Sequence, residues 1–369
     1  MIYSVGCDMA KDEFVACLLT YELTTQNSKV HSRKTFKNNL SGAKAFLKWI
    51  ARHTKGSSGK IRCTMEATGI YHETLALHVF EKATHIHLSV VLPSKAKSYL
   101  ASRGLRSKTD KIDAYGLALM GSERKLDHWR GIDPFWRELR QLTRTKANLQ
   151  HQITELSNQL HAQTHSGIQV REVQKTLKKL IKTLRSEKER LGGLIEKHLA
   201  SRPELADRMD MVDSIPGIGR QTIAIILAET LGFENFTRHS QLMSFSGYDV
   251  IINQSGKHIG KEKISKKGSP YIRAAMFMPA STIVRTKPKP LYDLYSRILG
   301  RHGIKMKAHV AVQKKLLSYM YTLWNKQEYY DPAKITEQQY LQQKRIAPPS
   351  IDEEATVDTS LAVAHDVLK

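Results

Sequence analysis

The order of apolar runs in the first 127 residues is what most restricts how this chain can fold. Residues 2–8 read as a strand, Met9-Ala10-Lys11-Asp12 as a turn, residues 14–19 as a second, nearly all-apolar strand, and residues 30–36 as a weaker third. Asn39 or Ser41 then offers a cap for a helix carrying Phe46, Leu47, Trp49 and Ile50. Lys55-Gly56-Ser57-Ser58-Gly59 reads as a loop, residues 61–65 as a fourth strand and residues 71–81 as a helix. A fifth strand at 87–92 is closed by Pro93, and two helical stretches follow at 95–102 and 112–120. Three strands in succession, then helix and strand in alternation, is the order of a ribonuclease-H-like α/β domain, here expected over residues 1–130.

Four acids fall at telling places in that order. Asp8 ends the first strand and Glu66 follows the fourth. Asp110 and Asp113 lie three apart after the fifth, so on a helix they share one face, between Lys108 and Lys111. Each acid alone is more often structural. Together, four carboxylates from three distant segments are the donors a hard divalent cation such as Mg2+ or Mn2+ selects. Like charges gathered this way require a compensating cation, or their pKa values rise. Two such metals about 4 Å apart stabilise the attacking and leaving oxygens of a phosphoryl displacement.

The partner is suggested by charge. With 58 Lys and Arg against 35 Asp and Glu, the chain carries a formal +23. Such an excess favours a polyanion, because each phosphate neutralised releases a counterion. No run approaches the roughly 18 uninterrupted apolar residues of a membrane span. The first residues enter a strand without a basic leader, so no signal peptide is expected. Cys7, Cys17 and Cys63 all lie in expected strands, without Cys-x-x-Cys spacing, which fits buried free thiols in a reducing cytoplasm.

Beyond residue 135 the pattern changes. Leu149, Ile153, Leu156 and Leu160 recur at helical steps, and so do Val173, Leu177, Leu180, Leu184 and Leu191. With a turn at His165-Ser166-Gly167 between them, residues 136–200 read as an antiparallel helical hairpin or coiled-coil arm. Lys175, Lys178, Lys179, Lys182 and Arg185 are expected on its exposed faces.

Residues 203–327 read as a mostly helical third region. It opens on Ile215-Pro216-Gly217-Ile218-Gly219, a turn like that of helix-hairpin-helix modules. There Gly217 and Gly219 would expose backbone N–H groups to a phosphate, the alternative being an ordinary interhelical turn. A basic, glycine-rich block follows, from Gln254-Ser255-Gly256-Lys257 through Lys261, Lys263, Lys266 and Lys267 to Arg273. A serine here serves as phosphate ligand or cap more readily than as nucleophile, because no general base is evident beside it except His258, by proximity in sequence alone. Residues 330–369 are polar, turn acidic from Ser350 onward, and read as a disordered tail.

Three segments resemble one family. Gly6-Cys7-Asp8-Met9-Ala10-Lys11, Met65-Glu66-Ala67-Thr68-Gly69-Ile70-Tyr71 and Thr109-Asp110-Lys111-Ile112-Asp113-Ala114 are similar to the DEDD signature of bacterial insertion-sequence transposases, which include Piv-type DNA invertases and bridge-RNA-guided recombinases. The Pro-Gly-Ile-Gly turn and the block from Gln254 to Arg273 resemble that family's second domain, so the likeness spans roughly residues 1–325. It implies a RuvC-like catalytic domain, a coiled-coil arm and a C-terminal domain whose catalytic serine is Ser255, with Ser265 and Ser269 as competitors. It also implies a composite site often shared between protomers of a dimer or tetramer. In that site the serine attacks a phosphodiester of double-stranded donor or target DNA and keeps the bond energy in a phosphoserine link. A noncoding guide RNA and a bacterial, nucleoid-associated location are further implications. Lys108, Lys111, Gly217, Gly219, Lys257, Lys261, Lys266, Lys267 and Arg273 are the expected nucleic-acid contacts. Two other classes compete: a RuvC-like structure-specific nuclease that hydrolyses with water, and a non-catalytic nucleic-acid-binding scaffold, against which the complete acid set argues.

Overall fold

The computed structural model describes residues 1–54, 60–105, 107, 109–131, 133–251, 254–255, 258–260 and 263–334. The expected loop at 55–59 and the acidic tail lie outside these residues. So do Lys108, Lys257 and Lys261. The chain divides into two compact units, Met1–Ile132 and Asp133–Lys369.

The first unit is mixed α/β. It contains β1 (Ile2–Met9), β2 (Glu13–Tyr21), β3 (Ser28–Lys37), α1 (Leu40–Thr54), β4 (Lys60–Glu66), α2 (Glu73–Lys82), β5 (Ile86–Val91), α3 (Pro93–Ser102) and α4 (Asp110–Glu123). The five strands form one sheet in the order β3-β2-β1-β4-β5. β2 runs antiparallel to both β1 and β3, while β4 is parallel to β1 and β5. Nearly every residue of β2 is buried, as a continuous apolar run requires of a strand covered on both faces. β3, at the edge, exposes Lys29, Arg33, Lys34 and Lys37, charges that discourage pairing with another strand.

One face of the sheet packs against α1 and α2. Phe14, Phe36, Phe46 and Trp49 form its aromatic centre, with Phe14 and Phe36 stacked at 5.3 Å and Phe46 edge-on to both at 5.6 Å. The other face carries α4, and contact there is close because the residues are small. A Cβ on Gly6 would stand 2.0 Å from the Ala114 carbonyl oxygen and 2.3 Å from the Ala118 nitrogen. Ser4 Oγ donates to the Ala118 carbonyl at 2.6 Å. All three cysteines are buried free thiols in strands, as expected. Burial pushes the Cys7 thiol well above its ordinary value, and its hydrogen bond with Cys63 adds to the shift.

The second unit is mostly helical. α5 (Pro134–His165) and α6 (Arg171–Ala200) form an antiparallel hairpin, shown by Lys188 Nζ donating to Gln150 Oε1 at 3.1 Å and by His198 Nε2 lying 3.0 Å from the Phe135 carbonyl. Its seam departs from the expected heptads. Leu177 and Leu191 are buried, but Val173 and Leu180 are 41% and 46% exposed, and Ile181 and Ile195 take the inward positions. One residue is about 100° of helix, so the seam follows Ile181 and turns its neighbour Leu180 outward. The basic residues from Lys175 to Arg185 named above are exposed.

The base of the hairpin shares a core with the helices that follow. Phe135, Trp136, Leu139, Ile195 and Leu199 pack with α7 (Ala206–Asp213), α8 (Arg220–Thr230), α9 (His239–Ser246), α10 (Pro270–Ala275), α11 (Phe277–Thr286), α12 (Leu291–His302) and α13 (Lys305–Lys326). Two short antiparallel ladders interrupt the helices between α9 and α10. β6 (Val250–Ile251) pairs with β9 (Lys263–Ile264), and β7 (Gln254–Ser255) pairs with β8 (His258–Ile259).

Candidate active site

Strand alternation places the acids of the first unit. Ser4 and Gly6 face α4, so Asp8, two residues further on, faces it too. On β4, Arg62 Nη1 donates to the Gly121 and Ser122 carbonyls at 3.0 and 3.3 Å, and Thr64 packs against Gly121, so Glu66 shares that face. The parallel register pairs Cys7 with Met65 and continues toward Asp8 and Glu66 at the carboxyl edge of the sheet. Ser4 meets Ala118 and Gly6 meets Ala114, so α4 runs antiparallel to β1. Its first turn, with Asp110 and Asp113, is therefore carried toward the same edge.

Local chemistry explains where that turn begins. Thr109 is the N-cap, its Oγ1 accepting from the Ile112 N–H at 3.3 Å. Two carboxylates in the first turn also complement the helix dipole, a structural benefit independent of any cation. Asp110 and Lys111 are exposed, while Asp8, Glu66 and Asp113 are half-buried. Glu66 Oε1 accepts from Thr68 Oγ1 at 3.4 Å. The sheet thus brings the four acids to one edge of one face. Among the described residues, no three His, Cys, Asp or Glu side chains close into a cluster able to hold a metal ion.

In the second unit, the Pro-Gly-Ile-Gly segment forms the turn between α7 and α8. Gly217 has φ +81°, and a Cβ there would lie 3.0 Å from the Pro279 carbonyl of α11. Its glycine is demanded by backbone conformation and close packing. Gly219 is different: it is exposed, caps α8, and has open space around it.

The basic block divides in the same way. Lys266 and Lys267 are exposed. Arg273 turns inward, its Nη1 donating to the carbonyls of Ser246, Gly268 and Ser269 at 2.8, 3.1 and 3.3 Å, which ties α9 to the start of α10. Ser265 donates to Asp249 Oδ1 and accepts from the Lys267 N–H at 3.2 Å. Ser269 caps α10 and donates to Glu229 Oε2 at 3.0 Å. Both competitors of Ser255 therefore have hydrogen-bonding tasks in the fold. Ser255 itself lies in β7, its backbone paired with His258.

Sequence reading missed Glu229. It is 2% exposed within the apolar α8, and Arg144 grips it with Nε and Nη2 at 2.7 and 3.0 Å. The Tyr271 ring covers that guanidinium at 4.6 Å. That pairing holds the Arg144 guanidinium above its ordinary value. A lone acid in an apolar helix was the available signal.

Two family models match the chain in succession. A DEDD-type transposase family model matches residues 5–166, and a second, described as the transposase IS116/IS110/IS902 family, matches residues 209–296. The pilin gene-inverting proteins of Moraxella lacunata and Moraxella bovis are each 29% identical over 337 residues, covering 89% of this chain and 97% of theirs. Among solved structures, Thermus thermophilus RuvC aligns with 33% of this chain and 93% of its own at 11% identity, with a TM-score of 0.26. With both family models matched in order along one chain, the protein belongs to the IS110-type transposases.

Proposed function

We propose that this chain is a DNA recombinase that cuts and rejoins double-stranded DNA through Ser255, with Asp8, Glu66, Asp110 and Asp113 as the ligands of Mg2+ or Mn2+. The carrying observation is that Asp8 and Glu66 stand near the carboxyl ends of β1 and β4 in a β3-β2-β1-β4-β5 sheet, toward the edge to which α4 carries Asp110 and Asp113 in its first turn. That order and placement support a ribonuclease-H-like, RuvC-like reading of the first unit. Four carboxylates are the donor type that a hard cation selects. When bound, the ion would neutralise the acids and the charge that develops on the phosphate.

The residues then divide the work. The Ser255 hydroxyl gives up its proton as its oxygen bonds to phosphorus, and a deoxyribose oxygen leaves as a hydroxyl. The phosphoserine link retains the bond energy, and a DNA hydroxyl reverses the step to rejoin the strand. Lys111, Lys266 and Lys267, all exposed, together with Lys108, Lys257 and Lys261, neutralise backbone phosphates, and Gly219 offers the open start of α8. Arg273 holds the loop rather than the DNA. The relatives' name describes gene inversion, and inversion and transposition share this cut-and-rejoin chemistry. A guide RNA, a coiled-coil role for the hairpin, and a dimer or tetramer uniting the acids with Ser255 belong to the same proposal, on the family resemblance and the +23 charge.

Asp110→Asn tests the metal assignment. It removes one carboxylate charge from an exposed first-turn position, so the fold should persist. Calorimetry should show weakened Mn2+ binding, and recombination should cease. Undiminished Mn2+ binding and recombination would remove Asp110 from the site.

A further inference from the structure

At the opposite edge of the same sheet face lies a cleft of about 460 Å³. It opens beside Gly121 in the last turn of α4 and is lined by residues of β4 and β5. β4 contributes Lys60 and Arg62 to its wall, and the segment after α4 contributes Arg124 and Lys125. His85, His87 and His128 complete it, with the His87 and His128 rings 5.1 Å apart. None of its described lining residues carries a carboxylate. Two acids flank the lining in sequence: Glu123, engaged by Arg103 at 2.7 Å and by the Tyr99 hydroxyl at 2.6 Å, and the exposed Asp127 between Leu126 and His128, whose backbone carbonyl accepts from Ser89 Oγ at 2.9 Å.

A second observation is independent of that charge. Thr64, only 1% exposed, lines the cleft, and its Oγ1 has no hydrogen-bond partner. A buried hydroxyl without a partner costs about 1–3 kcal/mol, so a native fold seldom keeps one without use. The carbonyls at the negative end of α4, which would repel an anion, are covered by Arg62. His128 is held below its ordinary value by burial and by the neighbouring His87, a penalty that a bound anion relieves.

We propose that this cleft binds the phosphate of a nucleotide, free or within an unpaired strand, through Lys60, Lys125 and the Thr64 hydroxyl. The volume suits a nucleotide better than a bare phosphate, and the paired imidazoles offer a ring surface to a base. The hydroxyl lies too deep for the convex backbone of a duplex. The site is separate from the acid edge and rests on the recombinase reading only in taking a nucleic-acid component as ligand.

The test titrates the full chain with AMP, a six-nucleotide single strand and the matching duplex at fixed salt. Lys60→Ala/Lys125→Ala should bind AMP and the single strand about tenfold more weakly, with unchanged Tm. Thr64→Val should also bind both more weakly, yet melt no lower than wild type, because it deletes an atom that the free protein leaves unpaired. AMP against the strand tells a free nucleotide from a chain. Wild-type affinity in both variants overturns the proposal. So does a lower Tm of Thr64→Val with unchanged affinity, which assigns the hydroxyl to the fold. A loss confined to the duplex overturns the nucleotide assignment as well. Asp110→Asn should keep wild-type AMP affinity, so failure of the cleft and failure of the acid edge read out separately.

Discussion

Gly6 sets how near α4 lies to β1, and so where Asp110 and Asp113 stand relative to Asp8. A methyl group there meets backbone atoms of α4 at 2.0 and 2.3 Å, which cannot rotate away. Gly6→Ala should therefore cost about 3 kcal/mol in chemical denaturation, the upper range for overpacking, and reduce recombination by displacing the helix. An unchanged denaturation midpoint would show that α4 is free to shift. Histidine titration gives a second residue-level prediction. Burial holds His309 below its ordinary 6.5, and it holds His239 down too, with Lys315 adding to the shift. The unfolded state therefore binds more protons, so the stability they contribute is full above 6.5 and is lost as pH falls through 6.5 toward the folded values. Melting curves from pH 7.5 to pH 5 should fall less steeply for His309→Gln than for wild type, and parallel curves would remove His309 from the account. Asp8 and Glu66 were legible in the sequence because each falls where an apolar run stops, and Asp110 and Asp113 because they lie three apart at the start of a helix. The inward role of Arg273 was not, because a basic residue in a basic block gives no sign of which carbonyls lie behind it.

At the scale of elements, strand order was legible because apolar runs and turn residues mark each strand. The shifted seam of the hairpin was not, since Leu180 and Ile181 are both apolar and only packing against α5 decides which turns inward. Nor was the joint between α5, α8 and α10, whose members Arg144 and Glu229 are 85 residues apart. Glu229 is buried, so removing its cation strands a charge. Arg144→Ala should destabilise the chain by about 3 kcal/mol. Ser269→Ala, which removes a cap and one hydrogen bond to the same carboxylate, should cost about 1 kcal/mol. Equal losses for the two variants would show that the ion pair contributes no more than the cap.

For the whole molecule, a formal +23 makes binding to nucleic acid chiefly electrostatic. Affinity for duplex DNA should fall with salt at a log–log slope of about −0.9 per phosphate contacted, and a flat response would contradict that. Electrostatics alone, however, does not distinguish a recombinase from a nuclease or a scaffold. The distinguishing claim is that Ser255 takes the phosphate while the acids of the other unit serve the same reaction. Incubate wild type, Ser255→Ala and Asp110→Asn with donor and target DNA, any guide RNA and Mg2+, then denature and look for DNA covalently joined to protein. The account predicts an adduct from wild type, lost in both variants although each still binds DNA. An undiminished adduct from Ser255→Ala, or cleavage by wild type that never leaves one, would contradict it, the latter in favour of a nuclease that uses water.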